Sequence, residues 1–168
     1  MHTSKEESIL QNLILTSSSY PKLKRVTAYI FRFLDKCKHK SNLTRNLSVE
    51  ELENATLKLI LNVQYYEFKN DIELLRSGNN IKKGDLIQLN PFIDEQNILR
   101  AGGRLKNSAL PYDAKFPIIL PKRDHFTNLI IQHYHLLQLH SGPHSTLNAI
   151  RQKFWIPSGK QVVSKLTR

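Results

Sequence analysis

Apolar residues recur at three- and four-residue intervals through the first 75 positions of the chain, and the period changes near residue 84. Ser4 and Glu7 form a capping box ahead of Ile9, Leu10, Leu13 and Ile14, which predicts a helix of about three turns broken by Thr16 to Ser19. Pro21, tolerated in a first turn, opens a second helix with Leu23, Val26, Thr27, Ile30, Leu34 and Cys37 on one face. Its other face carries Lys22, Arg25, Arg32 and Lys36. Residues 38–46 read as a polar, basic linker. Ser48 and Glu51 then make a second capping box before Leu52, Ala55, Leu59 and Val63, the start of the longest helix. It is expected to run through Phe68 and Ile72 to Leu75, with Gly78 as a stop and Asn70-Asp71 as the place for a break.

Beyond Gly84 the pattern is that of short strands. Leu86-Ile87-Gln88-Leu89 and Ile98-Leu99-Arg100 are apolar runs separated by the turn chemistry of Asp94-Glu95-Gln96-Asn97. Gly102-Gly103 reads as a bend or bulge, since no Gly-Lys-Ser/Thr follows it to make a phosphate loop. Pro117-Ile118-Ile119-Leu120-Pro121 is expected to be an edge strand because prolines bound it. Asp124 then caps a helix bearing Phe126, Leu129, Ile130, Ile131 and Leu137 that stops near Ser141-Gly142-Pro143. Ser145 is the expected cap of the next helix, with Leu147, Ile150 and Phe154 on one face, before Trp155-Ile156-Pro157 turns the chain. A last helix from Ser158 is expected to bury Val162 and Leu166 and to reach Arg168 without a stop, as if cut in mid-helix.

Composition sharpens this picture. The 168 residues suffice for one domain or two small ones, and the net charge is +11. The charge is uneven: residues 1–47 carry nine basic and three acidic side chains, residues 48–97 five and nine, and residues 98–168 eleven and two. So basic a C-terminal third suits a polyanion or presents a solvated lysine face. The single cysteine, Cys37, excludes an internal disulfide and is expected to be a buried thiol in a reducing compartment. The polar start is no signal peptide, and no apolar run approaches the ~20 residues of a membrane span. The expected location is therefore intracellular, nuclear or cytoplasmic rather than secreted, with no membrane and no small-molecule substrate among the partners.

The chemistry is concentrated in histidine. His125, His133, His135, His140 and His144, five of the seven, fall within twenty residues. A structural zinc ion takes four N or S ligands, and two histidines five apart, one near a helix end and one in the following turn, can supply half of that set. The same spacing fits surface and half-buried histidines of an amphipathic helix, and does not choose between the two. Catalysis is disfavoured, because no Asp or Glu occurs after Asp124 to orient a histidine or act as a base, and neither Asp85 nor Asp113 has a suggestive spacing. The chain is not expected to be an enzyme.

The run Leu139-His140-Ser141-Gly142-Pro143, Thr146-Leu147 and Ile150-Arg151-Gln152-Lys153-Phe154-Trp155-Ile156 resembles the zinc-binding N-terminal module of retrotransposon integrases, especially of the BEL/Pao group. Upstream, Leu89-Asn90-Pro91-Phe92-Ile93, Leu99-Arg100-Ala101-Gly102-Gly103-Arg104-Leu105, Leu110-Pro111-Tyr112-Asp113 and residues 117–121 resemble the segment preceding that module in BEL/Pao polyproteins. Leu23 to Tyr29 and Glu50-Glu51-Leu52 resemble the connector that follows the ribonuclease H part. The resemblance implies a His-His-Cys-Cys zinc fold in which His135 and His140 are the histidine pair, His133 a weaker candidate for the first position, and His125 and His144 outside the pattern. The family's Cys-x-x-Cys is expected just beyond Arg168, so zinc binding by these 168 residues is expected to be weak. The family's catalytic core, of the type with two Asp and one Glu, is likewise expected downstream.

The expected fold is mainly α with a small β-hairpin region: a helical connector over residues 1–83, then a β-hairpin extension and an incomplete three-helix zinc-binding module over residues 84–168. The function implied is that of a non-catalytic piece of a transposable element's integrase, serving DNA integration through nucleic-acid binding or multimerisation. Arg151, Lys153, Lys160 and Lys165 are its expected phosphate contacts. A helical protein-interaction module without zinc or DNA is the alternative, and a hydrolase built on the histidines is disfavoured for want of acids.

Overall fold

The computed structural model describes residues 4–38, 46–82, 84–103 and 108–167, without the side chains of residues 4–6 and 38. These residues are mainly helical, with one small four-stranded sheet. The chain divides into two compact units, Met1–Asn62 and Val63–Arg168. The sequence changes period near residue 84 because α-helix has ended by Arg76 and the next elements are a 3₁₀ turn and short strands; the boundary between the two units falls earlier, inside a helix.

The first unit contains helix α1 (Ser4–Thr16), helix α2 (Tyr20–Lys38) and the start of helix α3 (Val49–Arg76). Leu10 and Ile14 of α1, Leu23 and Ala28 of α2, and Ala55 and Leu59 of α3 are buried, as their helical spacing requires. The Ser4 cap and the linker residues 39–45 lie outside the described residues. The second capping box forms: Ser48 N–H donates to Glu51 Oε2 (2.7 Å) and Glu51 N–H to Ser48 Oγ (3.1 Å). Arg32 extends it across the unit, with Nε 2.6 Å from Glu51 Oε1 and Nη2 2.8 Å from the Asn46 carbonyl. This arrangement pulls the Glu51 carboxyl down to about 2, mainly through Arg32 and then through the Ser48 backbone. Cys37 is exposed, not buried as expected. The apolar face of α2 is fully covered only over its first half, at Leu23, Thr27 and Ala28, and emerges towards Cys37.

In the second unit α3 kinks at Phe68 (φ −121°, ψ 23°), two residues before the expected Asn70-Asp71 break, and ends at Arg76. The Ile87–Leu89 segment is a 3₁₀ turn rather than the expected strand, closed by Asn90 in the left-handed region (φ 43°). The first strand is instead β1 (Phe92–Ile93), paired antiparallel with β2 (Leu99–Arg100) in the register Phe92↔Arg100. Asp94 builds the connecting turn by accepting the Gln96 and Ile98 N–H groups, each at 2.9 Å. Strand β3 (Ile118–Ile119) is not an edge strand: it lies between β2, antiparallel, and β4 (Phe154–Trp155), parallel. Its flanking prolines sit outside the paired residues, so no ladder donor is lost. Phe154 and Trp155, expected to end a helix and turn the chain, make β4 because Ile118 and Leu120 donate to the Lys153 and Trp155 carbonyls, both at 2.9 Å.

Two polar side chains lock this sheet. Gln64, buried on α3, bonds to Leu99 and Ile119. Arg100, also buried, meets Asp94, Asp113 (2.9 Å) and the Phe116 carbonyl (2.8 Å), and stacks on Tyr112 of the short helix α4 (Tyr112–Lys115). Ile72, Ile81, Leu86, Leu99, Ala101 and Ile119 form the core beside the sheet. Beyond it, helices α5 (His125–Leu137), α6 (Pro143–Arg151) and α7 (Gly159–Leu166) pack on one another. Asp124 caps α5 as expected, accepting the Phe126 N–H at 2.7 Å, although burial pushes its carboxyl pKa up. Helix α6 begins on Gly142-Pro143 and not on Ser145, since Pro143 supplies a preset first turn. In α7 the buried valine is Val163 rather than Val162, Leu166 is only half-buried, and the helix stops at Thr167, whose N–H bonds to the Val163 carbonyl. Leu137 is exposed, because α5 is covered on the Phe126, Ile130 face.

Candidate metal centre

The last turn of α5 and the turn after it bring two histidines face to face. Leu139 (φ 50°) and His140 (φ 60°) both adopt the left-handed conformation, uncommon for residues with a side chain, and reverse the chain so that the His140 N–H donates to the His135 carbonyl (3.1 Å). The two rings then meet edge to face, with centroids 4.7 Å apart, and His140 Nδ1 lies 2.9 Å from His135 Nε2. Gly142 (φ 91°) redirects the chain into α6. From its first turn Thr146, fully buried, places Oγ1 3.2 Å from His135 Nδ1 and donates to the Gly142 carbonyl at 2.9 Å. His135 stands in the last turn of α5, at the negative end of the helix dipole.

Two of the other described histidines have different neighbours. His144 faces Asn148 (3.2 Å), and His133 sets its ring against Tyr134. Asp113 serves Arg100, and Asp85 pairs with Lys122. Among the described residues no three of His, Cys, Asp and Glu gather as a metal-binding group. The pair therefore fits zinc as half of a tetrahedral set, two imidazole nitrogens converging at a helix end, with no third donor beside them among the described residues.

Residues 123–168 match the integrase zinc binding domain. The matched segment holds α5, α6 and α7 with both converging histidines, and this domain is not the catalytic part of an integrase. No curated protein and no solved structure matches the chain.

The four basic residues expected to meet phosphate do not form one cluster. Arg151 lies over the Trp155 ring (5.3 Å) and lines a cavity of about 510 Å³ with Trp155 and Lys115. Lys153 lies over Phe154 (6.0 Å). Lys160 is exposed on α7, and Lys165 lines a different cleft of about 490 Å³ with Lys122, Arg123 and Gln161. Lys122 and Arg123 carried no signal in the sequence beyond their charge. Thr146 could have been suspected, as a threonine in the first turn of a helix that directly follows the histidine turn. No described helix is long and apolar enough to cross a membrane.

Proposed function

We propose that residues 84–168 serve as the zinc-supported, non-catalytic module of a BEL/Pao-type retrotransposon integrase region, with residues 1–83 as its helical connector. In this reading His135 Nε2 and His140 Nδ1 hold one side of a zinc ion, which ties α5 to the turn before α6 and contributes folding energy there. The observation that carries it is the convergence of these two histidines inside the segment that matches the integrase domain. DNA is the proposed partner. Arg151, Lys153, Lys160 and Lys165 supply phosphate contacts, and the eleven basic against two acidic residues of positions 98–168 supply the field. Binding of a short DNA duplex measured against salt tests this: a log–log slope of about −3 to −4 is expected if all four contacts form. No binding at ~50 mM salt removes DNA from the reading.

A second reading is supported by the surface. Leu136, Leu137 and Leu139 are 59%, 60% and 87% exposed at the end of α5 and in the turn beside the histidines. Such an apolar edge suits multimerisation or a protein partner. Sedimentation of the full chain with and without zinc tests self-association, which the integrase reading shares; a chain that neither self-associates nor binds DNA favours the second.

A further inference from the structure

We propose that Thr146 is a positioning residue that fixes the tautomer of His135, and so decides which of its nitrogens carries a lone pair towards His140. The inference adds a role to the metal-centre reading, but its chemistry is complete without metal. A threonine hydroxyl has one hydrogen and two lone pairs. The Thr146 hydroxyl lies 2.9 Å from the Gly142 carbonyl, which has no proton to give, so the contact is a hydrogen bond only if Thr146 donates. Its single hydrogen is thereby used. The same oxygen is 3.2 Å from His135 Nδ1, and its remaining capacity there is to accept. His135 Nδ1 must then carry the proton, which leaves Nε2 unprotonated in the neutral ring and 2.9 Å from His140 Nδ1.

The opposite arrangement, with Thr146 donating to an unprotonated Nδ1, sets two oxygens with no hydrogen between them at 2.9 Å and loses one of the two bonds. Full burial of Thr146 denies it water as a substitute partner. Its branched β-carbon and its N–H, which bonds to the same Gly142 carbonyl at 3.2 Å, hold the hydroxyl in this orientation. Thr146 thus stands to His135 as the outer partner of a metal-binding imidazole stands to its ligand: it orients the ring and reserves Nε2 for the metal.

Long-range ¹H–¹⁵N correlation spectra of the full chain with labelled histidine, at pH ~8 where imidazoles in general are neutral, report the tautomer directly. The expected result is an Nδ1–H form for His135, kept in Thr146→Ser and lost in Thr146→Val towards the Nε2–H form that a free imidazole prefers in water. An Nε2–H form in the unaltered chain overturns the proposal, as does a Thr146→Val spectrum with His135 unchanged. Should the valine variant not fold, the unaltered chain and the serine variant still decide. Zinc added to the unaltered chain tests the ligand reading separately. If it leaves the His135 and His140 signals unmoved, that reading falls while the tautomer assignment stands. If zinc binds the pair, Thr146→Val is expected to weaken it by about 10- to 100-fold and Thr146→Ser to restore most of the loss; equal affinity in the valine variant removes the positioning role.

Discussion

Gln64 and Leu99 exchange a reciprocal pair of hydrogen bonds: the Leu99 N–H donates to Gln64 Oε1 and Gln64 Nε2 donates to the Leu99 carbonyl, both at 2.9 Å. The second Gln64 amide hydrogen reaches the Ile119 carbonyl at 2.7 Å. One side chain of α3 therefore bonds at once to β2 and β3, whose own register is the single pair Arg100↔Ile118.

Gln64→Leu keeps the volume and removes all three bonds. It leaves the Leu99 N–H and the Ile119 carbonyl without their Gln64 partner, at about 1–3 kcal/mol for each group that no water reaches. A loss of about 3 kcal/mol or more is expected in urea unfolding of the full chain, against less than about 0.5 kcal/mol for exposed Gln161→Leu. Similar losses for the two variants would deny Gln64 this bridging role.

How far the sequence revealed the fold depended on the range of the interaction concerned. Ser48 with Glu51 and the Asp124 cap of α5 are local chemistry, and both were legible. The stop expected near Ser141-Gly142-Pro143 falls earlier, since α5 ends at Leu137 and Gly142-Pro143 opens α6. Leu86 to Leu89 was not, because a short apolar run suits a strand or a turn equally until its neighbours are placed. Phe154 and Trp155 make a strand only because Ile118 and Ile119 lie beside them in space. The same holds at the metal centre. The resemblance to the integrase module singled out His135 and His140, where spacing alone left them open, and the structure brings those two together. The position of Thr146 after the histidine turn was visible, but its contact with His135 depends on two left-handed residues, Leu139 and His140, that pattern reading does not foresee.

Glu51 links stability to acid pH. Its carboxyl is lowered from an ordinary 4.5 to about 2 by Arg32 and the Ser48 backbone, so the folded state holds the charged form more strongly than the unfolded chain does. The contribution is fully present above pH ~4.5 and is lost as pH falls through about 2. Thermal unfolding of the native chain and Glu51→Gln should differ near pH 6 and converge near pH 2. The Glu51 side chain is 31% exposed, so solvent screening keeps the expected difference to no more than about 4 °C. A constant difference across this range would detach the effect from the carboxylate.

Gly102 is required by space. A Cβ there would sit 2.5 Å from the Asn90 carbonyl oxygen, and the Gly102 N–H already donates to that oxygen at 3.1 Å. Backbone, rather than a movable side-chain tip, is the obstacle, so Gly102→Ala must shift the 3₁₀ turn or the end of β2, at about 1–3 kcal/mol. Gly103, with nothing near its Cβ position, should accept alanine with a much smaller loss. Urea midpoints of the two variants make the comparison, and equal midpoints would remove the close approach as the cause.

The basic residues yield a prediction that separates position from charge. Lys165 shares its cleft with Lys122 and Arg123, whereas Arg151 lines another cavity and lies over Trp155. Lys122 is partly committed to Asp85, which leaves Arg123 and Lys165 to meet a phosphate at that cleft. If DNA lies there, Lys165→Gln and Arg123→Gln should each reduce the magnitude of the salt slope by about 0.9, and the pair together by about twice that. Arg151→Gln should then change the slope little. If Arg151→Gln alone reduces it, the DNA path runs along β4 and the Trp155 cavity instead. Equal reductions from all three would mean that the duplex follows the general charge of residues 98–168 without selecting either cleft.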